Sequence, residues 1–180
     1  MSDGFKADPK ARMFALVPVV LIVGGLIAAM LGIRPEGRTH APPEWRTHTV
    51  EKQAFAVATP GVFIVNQQMM NFDGKDVPAQ VYIAYDLGVD YSVSAARRPE
   101  DDVRPFDEVA ISLGLNGKDI EQRNDGLPAF RHDVTLEGTR TQALLIFKDR
   151  MMYQLMVTTP AGSVSSAQRF FDSFRLLGNS

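Results

Sequence analysis

The sequence predicts an α+β fold, with a single transmembrane helix at the N-terminus followed by an antiparallel β-sheet domain flanked by two helices. Three observations lead to this prediction. Residues 13–33 contain no charged side chain, the chain from Thr47 alternates apolar and polar residues with the period of strands, and two later stretches repeat apolar residues at helical spacing. The predicted organisation is a tail at 1–12, a transmembrane helix at 13–33, a proline-rich tether at 34–46 and a folded domain at 47–180.

Composition narrows the class of protein. The 180 residues are 45% hydrophobic and 22% charged, which is typical of a folded chain and not of a disordered one. The net charge of −2 provides no basic signature for nucleic-acid binding. Because the chain has no cysteine, disulfides, thiolate nucleophiles and cysteine-ligated metal centres are excluded.

The apolar segment 13–33 has the length of a membrane span. At about 1.5 Å per residue, a helix of this length crosses about 30 Å, the thickness of a hydrocarbon core. Lys10 and Arg12 precede the segment and Arg34 follows it. The alternative is a cleaved signal peptide, but the run is long for a signal sequence and no Ala-x-Ala site closes it. The segment therefore indicates an uncleaved anchor in the lipid bilayer.

The orientation of this anchor rests on a weak charge signal. Three basic residues lie on each side of the segment within a similar distance, so the positive-inside count is a tie. We expect a cytoplasmic N-terminus because the tail at 1–12 is short and the large part of the chain follows the span. The basic residues are Lys6, Lys10 and Arg12 before it and Arg34, Arg38 and Arg46 after it.

Small residues follow one face of the predicted transmembrane helix. Gly24, Ala28 and Gly32 are four residues apart, with Gly25 and Ala29 beside them. Small side chains at this spacing let another helix approach closely, so the face is a candidate contact with other transmembrane subunits. The alternative is that glycine and alanine are simply common in membrane helices.

The prolines of the tether predict a stiff, extended connection, because proline fixes φ and lacks a backbone donor. Trp45, the only tryptophan, ends this tether. It would lie either at the membrane interface or over the core of the domain, and we expect the second because the tether lifts it away from the lipid.

Alternating apolar residues predict at least six strands in the domain. Turn sequences separate several of them, including Asp125–Gly126, Glu137–Gly138 and Asp149–Arg150, with a further one at Asp73–Gly74. Short connections of this kind predict mostly antiparallel pairing. The predicted strands lie at 55–58, 81–85, 91–95, 130–136, 143–147 and 152–157.

Two stretches change to helical spacing. In 105–115 the apolar stripe follows a proline suited to the first turn, and Asp101 or Asp102 would cap it. In 163–174, Ser165 and Gln168 have the spacing of a capping box. The apolar stripes are Phe106, Val109, Ala110 and Leu113 in the first helix, and Val164, Ala167, Phe171 and Phe174 in the second.

Two stretches resemble the PsbP-like superfamily and its small bacterial, membrane-anchored relatives of unknown function. They are Phe55–Gly61 (FAVATPG) and the closing region, with Tyr153–Leu155 followed by Arg169–Leu176 (RFFDSFRL). The resemblance implies an antiparallel sheet flanked by helices. With the predicted anchor and its orientation, we expect a bacterial inner membrane location with the domain in the periplasm. The resemblance also implies a non-catalytic accessory role in a larger membrane complex, as PsbP has for photosystem II. No functional residue transfers with it, and the anchor departs from the soluble plant protein.

Residues able to carry chemistry form no recognisable motif. The three histidines, His40, His48 and His132, do not have the spacing of a metal-binding pair. We interpret His132 as a structural residue in the core or at the edge of the strand that also contains Phe130. The serines form no nucleophile elbow and the glycines no phosphate-binding loop. We therefore expect no catalytic residue, no metal site and no cofactor.

Three further clusters have ordinary structural interpretations. Glu100–Asp102 lacks the spacing of a calcium loop and is interpreted as a solvated loop with a helix cap. Arg97–Arg98 beside it is interpreted as part of a local ion-pair cluster, although it would also suit a phosphate or a partner carboxylate. Met69–Met70 and Met151–Met152 are interpreted as packing residues, because neighbours on a strand point to opposite faces.

These observations together predict a non-catalytic accessory or stabilising subunit of a membrane complex. By analogy with PsbP, we expect an energy-transducing complex, either respiratory or photosynthetic. The predicted partners are the bilayer and other transmembrane subunits, not nucleic acid. The alternative is a membrane-anchored ligand-binding or sensing module with a pocket between sheet and helices. An envelope enzyme is the third possibility, and it lacks a visible set of nucleophile, base and orienting residue.

Overall fold

The structure is a computed structural model that describes residues 44–72, 75–105, 108–109, 120–123, 125–161 and 167–178. Within these ranges the chain forms two antiparallel sheets and one α-helix, α1, at Ala167–Ser173. The strands are β1 Trp45–Val50, β2 Phe55–Pro60, β3 Ile64–Phe72, β4 Lys75–Asp86, β5 Val89–Arg97, β6 Ile120–Gln122, β7 Pro128–Leu136, β8 Thr139–Lys148, β9 Met151–Pro160 and β10 Arg175–Leu176.

The larger sheet has seven described strands in the order β3-β4-β5-β9-β8-β7-β6, and the smaller sheet has the order β1-β2-β10. Three neighbouring pairs, β4–β5, β7–β8 and β8–β9, are joined by two-residue turns. At the β7–β8 turn, Glu137 and Gly138 have φ values of 50° and 77°, the left-handed pair that a two-residue hairpin needs. These turns fix the register, with Leu136 opposite Thr139, and confirm the predicted antiparallel pairing.

One face of the larger sheet forms the main core. It packs against α1 and β2, and Phe55 lies at the centre of an aromatic cluster. Its ring stacks on Phe174 with centroids 5.6 Å apart and meets the edges of Tyr82 and Tyr153 at 5.4 Å and 6.1 Å. The fully buried large side chains are Tyr91, Tyr153, Phe55, Phe130, Phe170, Phe171, Phe174, Leu144, Ile146, Leu155 and Val57, and all except Phe130 belong to this core.

Trp45 packs over the main core, as predicted. Its ring meets Tyr91 edge to face at 5.5 Å, and the guanidinium of Arg169 lies 4.5 Å above it. The aromatic pair and the cation–π contact both favour this position. Trp45 thereby joins the first strand of the domain to α1 and β5.

The opposite face of the larger sheet, called here the second face, is also apolar. Met152 points to it while Met151 packs on the main core, as expected for neighbours on a strand. The buried cluster on this face contains Val77, Ala79, Ala96, Val109, Phe130, Leu145, Phe147 and Met152. The larger sheet is therefore packed on both faces, which explains the continuous apolar runs in β8 and β9.

The predicted fold class is wrong. The described residues are mostly β, with 65% strand and 11% helix, and they contain neither a complete second flanking helix nor the predicted transmembrane helix. In the predicted helix at 105–115, only Glu108 and Val109 are described as helical, and α1 is shorter than the predicted 163–174. Four strands were not predicted: β1, β3, β6 and β10. Of these, β3 is long, but its sequence does not alternate because three amide residues, Asn66, Gln67 and Gln68, follow one another.

The predicted span at 13–33 lies outside the described residues. Among those that are described, no helix combines the length and the apolar character needed to cross a bilayer. The predicted turn at Asp73–Gly74 also lies outside them, as do the tail and all of the tether up to residue 43.

Removal of the Phe55 ring should strongly destabilise the domain. Phe55 is fully buried against three aromatic rings, so Phe55→Ala leaves a large cavity and should lower the unfolding free energy by about 3–5 kcal/mol. Urea denaturation followed by Trp45 fluorescence measures this change. Val103→Ala, at a side chain that is 88% exposed, is the control and should leave the midpoint unchanged. Equal midpoints for the two variants would contradict the central place of Phe55.

Candidate functional site

Exposed apolar side chains concentrate at one end of the larger sheet. In the part of the chain that the structure describes, eight large hydrophobic residues are exposed, and six of them lie on the edge strand β3, on the loop before it, or on the β4–β5 hairpin. Val62, Ile64, Tyr85 and Leu87 form the part called here the apolar corner, with exposed fractions of 73%, 47%, 38% and 66%. The other two of the six, Val65 and Met69, lie further along β3.

Strand pairing brings the corner together. Ile64 lies opposite Ile83, so Tyr85, two residues further along β4, lies on the same face and beside Val62. The approach is close at Gly61, whose φ is 103° and where an added Cβ would be 3.9 Å from the carbonyl oxygen of Tyr85. The carbonyl oxygen of Gly61 is also 2.8 Å from the His48 ring nitrogen Nε2, which anchors this loop to β1.

Leu87 has an unusual conformation for its residue type. It occupies the first position of the β4–β5 turn with φ 45°, followed by Gly88 at 82°. Asparagine, aspartate or glycine normally takes this position, because a bulky side chain at positive φ is strained. The fold therefore holds an exposed leucine at the tip of a hairpin where a polar residue would be less costly. Strain of this kind is often found at functional positions.

A carboxyl group lies at the rim of the corner. Asp90 lies directly opposite Tyr85 on β4 and Thr158 on β9. Both partners have the alternation of the second face, so the Asp90 side chain points to that face as well. Burial raises the pKa of Asp90 to about 6. Burial also raises the pKa of Tyr85, and the negative charge of Asp90 adds to that shift. The corner thus joins exposed apolar groups to an acid that titrates near neutrality.

Arg98, Asp102 and Arg104 form an ion-pair cluster in the region where one was predicted. Arg98 lies 3.1 Å from Asp102, and Arg104 donates to the same carboxylate from Nε at 2.8 Å. The hydrogen bond from Arg104 holds the pKa of Asp102 well below its ordinary value, and the hydrogen bond and charge of Arg98 add to it. The prediction of a solvated loop is wrong for Asp102, whose side chain is 7% exposed, but Glu100 and Asp101 are exposed.

The histidines hold no metal site in the described residues. His48 contacts Phe63 at 4.6 Å between ring centroids, and His132 is exposed on the face that it shares with Phe130. His40 lies outside the described residues. No group of three or more potential ligands occurs in the part of the chain that the structure describes.

The helix-packing residues predicted from the sequence lie outside the described residues. They are Gly24, Gly25, Ala28, Ala29 and Gly32. The structure therefore brings none of them into a site, and they remain a prediction.

Sequence reasoning missed the apolar corner. Its residues come from two segments that meet through the β3–β4 pairing, and no strand was predicted at 64–72 to make that pairing with the predicted turn at Asp73–Gly74. One local signal existed, because residues 61–72 contain no charged side chain although they lie between two turns. An uncharged run at a strand that is not strongly apolar indicates an unprotected edge.

Comparison with models of known protein families finds no match, and comparison with curated proteins finds none either. The geometry of the corner and the sequence are therefore the basis of the functional argument.

Asp90→Asn should change how stability depends on pH. The pKa of Asp90 rises from an ordinary value of 3.8 to about 6 in the folded protein. The folded state therefore binds this proton more tightly than the unfolded state, and its ionisation lowers the unfolding free energy as pH rises through this range. The difference in urea midpoint, wild type minus Asp90→Asn, should fall between pH 4 and pH 6 and level off above it. A difference that stays constant over the range would show that burial does not perturb Asp90.

Proposed function

We propose that the protein is a non-catalytic accessory or stabilising subunit of a membrane protein complex, docked on a partner subunit through the apolar corner. The observation that carries the proposal is the exposure of Val62, Ile64, Tyr85 and Leu87 at one end of the sheet. Single exposed apolar residues are common, but a group at one place marks an interaction surface.

The composition of the corner suits a protein partner. Leu87 and Val62 protrude most, and burial of exposed apolar area contributes about 25 cal/mol per Å² to association. Tyr85 adds an aromatic ring of the kind that is enriched at interaction hot spots. Leu87 is held in place by a tight turn, so little further ordering is needed when a partner binds.

The membrane part of the proposal rests on the sequence. Residues 13–33 supply the attachment, and Gly24, Ala28 and Gly32 supply the contact with partner helices. Attachment at a second point raises the effective concentration of the domain near its partner, so the corner itself needs only modest affinity. The PsbP-like resemblance favours a respiratory or photosynthetic complex of the bacterial inner membrane, with the domain in the periplasm.

A second candidate is a membrane-anchored ligand-binding or sensing module. Asp90 favours it, because a carboxyl group with a pKa of about 6 beside a tyrosine changes charge within the physiological range. The two candidates differ in whether the corner binds a subunit stoichiometrically.

Charges introduced at the corner should release the protein from its complex. The full chain with a C-terminal tag is extracted from native membranes in mild detergent and captured, and co-purifying subunits are quantified by mass spectrometry. Val62→Lys with Leu87→Lys should lower their recovery at least about tenfold, because two ammonium groups would be desolvated in the interface. Val103→Lys with Leu136→Lys, at equally exposed apolar positions elsewhere, is the matched control and should keep full recovery.

Either of two results would contradict the docking proposal. Equal recovery of subunits with the corner and control variants would mean that the corner is not the interface. Recovery of the wild-type chain without any stoichiometric partner would contradict the accessory role and favour the sensing module. Urea midpoints of both variants, read from Trp45 fluorescence, establish that the domain remains folded.

Leucine substitutions on the small-residue face should weaken the second attachment. Gly24→Leu with Ala28→Leu would separate closely packed helices and lower recovery of partner subunits in the same capture experiment. Val19→Leu with Val23→Leu changes two positions four residues apart on the opposite face of the same predicted helix and serves as the matched control. Equal recovery for both pairs would show that the small residues make no helix contact.

A further inference from the structure

The edge strand β3 lacks the features that normally protect a sheet edge. It is nine residues long, with the sequence IVNQQMMNF, and contains neither a charged residue nor a proline. Among the described strands it pairs with β4 alone. The opposite edge, β6, is three residues long and includes Glu121, and the edge strand β1 of the smaller sheet includes Arg46. Short length and charge are the usual protections, so β3 is the least protected of these three described edge strands.

The side chains of β3 are accessible along the strand. Val65 and Met69 are 53% and 58% exposed, and Gln67 between them is also exposed. These three residues alternate with Asn66 and Gln68, so they lie on one face of the sheet and form a row beside the open edge. A strand that added to this edge would cover the row and continue the backbone hydrogen-bond ladder.

The order of residues in β3 is symmetric by chemical type. Around Gln67 the strand reads apolar, apolar, amide, amide, amide, apolar, apolar over residues 64–70. We infer that β3 pairs antiparallel with β3 of a second copy of this chain, with the two-fold axis at Gln67. This inference goes beyond the proposed function: it uses the backbone edge of β3, and of the four corner residues only Ile64 lies within the paired strand.

The register follows from the faces of the sheet. In an antiparallel pair, directly opposite residues point to the same face of the sheet. The two-fold axis of a symmetric pair must therefore pass through a residue and not between two residues. Centred on Gln67, Val65 lies opposite Met69 of the second copy, and Ile64 lies opposite its Met70. The amides of Asn66 and Gln68 also face each other. Because β3 contains no charged residue, the pairing brings no like charges together.

The two neighbouring symmetric registers are worse. Centred on Gln68, Val65 would lie opposite Asn71 and Met69 opposite Gln67. Centred on Asn66, Ile64 would lie opposite Gln68 and Val65 opposite Gln67. Each of these registers places apolar side chains against amides, whereas the register centred on Gln67 matches like with like. This match is the reason to assign the edge to a second copy of the chain and not to an unrelated strand.

Disulfide cross-linking tests the inference directly, because the chain has no cysteine of its own. The full chain carrying Gln67→Cys is purified in an excess of detergent micelles over protein and oxidised mildly. Opposite residues have Cβ atoms about 4.5–5.5 Å apart, near the range of a disulfide. Gln67→Cys should therefore form a covalent dimer at least about tenfold faster than Val103→Cys, whose exposed position reports random collisions.

The register has its own test. In the pair centred on Gln67, the two copies of residue 65 are four residues apart along the strand, about 13 Å. Val65→Cys alone should therefore cross-link slowly, but a mixture of Val65→Cys and Met69→Cys chains should cross-link rapidly to each other. Rapid self-linking of Val65→Cys would overturn the Gln67 register.

Two further results separate this inference from its alternatives. A Gln67→Cys rate equal to that of Val103→Cys, or a covalent adduct with a different protein in membranes, would overturn self-pairing. Met69→Lys should convert the dimer to a monomer in analytical ultracentrifugation with an unchanged urea midpoint, and a persistent dimer would also overturn it. Gln67→Cys should still cross-link when combined with Val62→Lys and Leu87→Lys, so failure of corner docking is distinguishable from failure of self-pairing.

Discussion

Phe55 packs against Phe174, Tyr82 and Tyr153, which belong to parts of the chain that are distant in sequence. This aromatic cluster joins the smaller sheet to the larger one and fixes the segment that follows α1. Hydrogen bonds support the same junction, because the Ser173 hydroxyl accepts from the Ala58 backbone at 2.9 Å and donates to the Phe170 carbonyl at 2.7 Å. The β1–β2 hairpin and α1 are positioned through it, and so is the loop after β2 that carries Val62 to the corner.

Packing on both faces of the larger sheet limits where the described residues leave apolar surface exposed. α1 and β2 cover the main core, and the second face has a buried cluster of its own around Phe130 and Phe147. The conspicuous exposed apolar groups therefore lie at an end and an edge of the sheet. The corner offers apolar side chains and the edge offers backbone hydrogen bonds. These are two chemically different kinds of contact, so they suit different partners.

The sequence predicts the hairpin core well because its signals are local. Glu137–Gly138 marks a left-handed turn, and the apolar runs of β8 and β9 identify central strands. The signals fail where pairing between distant segments decides the structure. Asn66 to Gln68 breaks the alternation of β3 because both faces of an edge strand are partly exposed. The corner depends on Ile64 meeting Ile83, and the burial of Asp102 depends on Arg98 and Arg104 folding around it. The first needed a strand to be predicted at 64–72, and the second depends on the folded loop at 98–104.

Asp90 places a chemical condition on any partner that covers the corner. Its carboxyl group already has a pKa of about 6 because it is partly removed from water. A partner that completes this burial without a donor would raise the pKa further, and binding would then weaken as pH rises and the carboxylate ionises. A partner that supplies a hydrogen-bond donor or a cation opposite Asp90 would lower the pKa again and bind well at neutral pH. The corner therefore favours a partner with apolar groups against Val62 and Leu87 and a donor beside Tyr85.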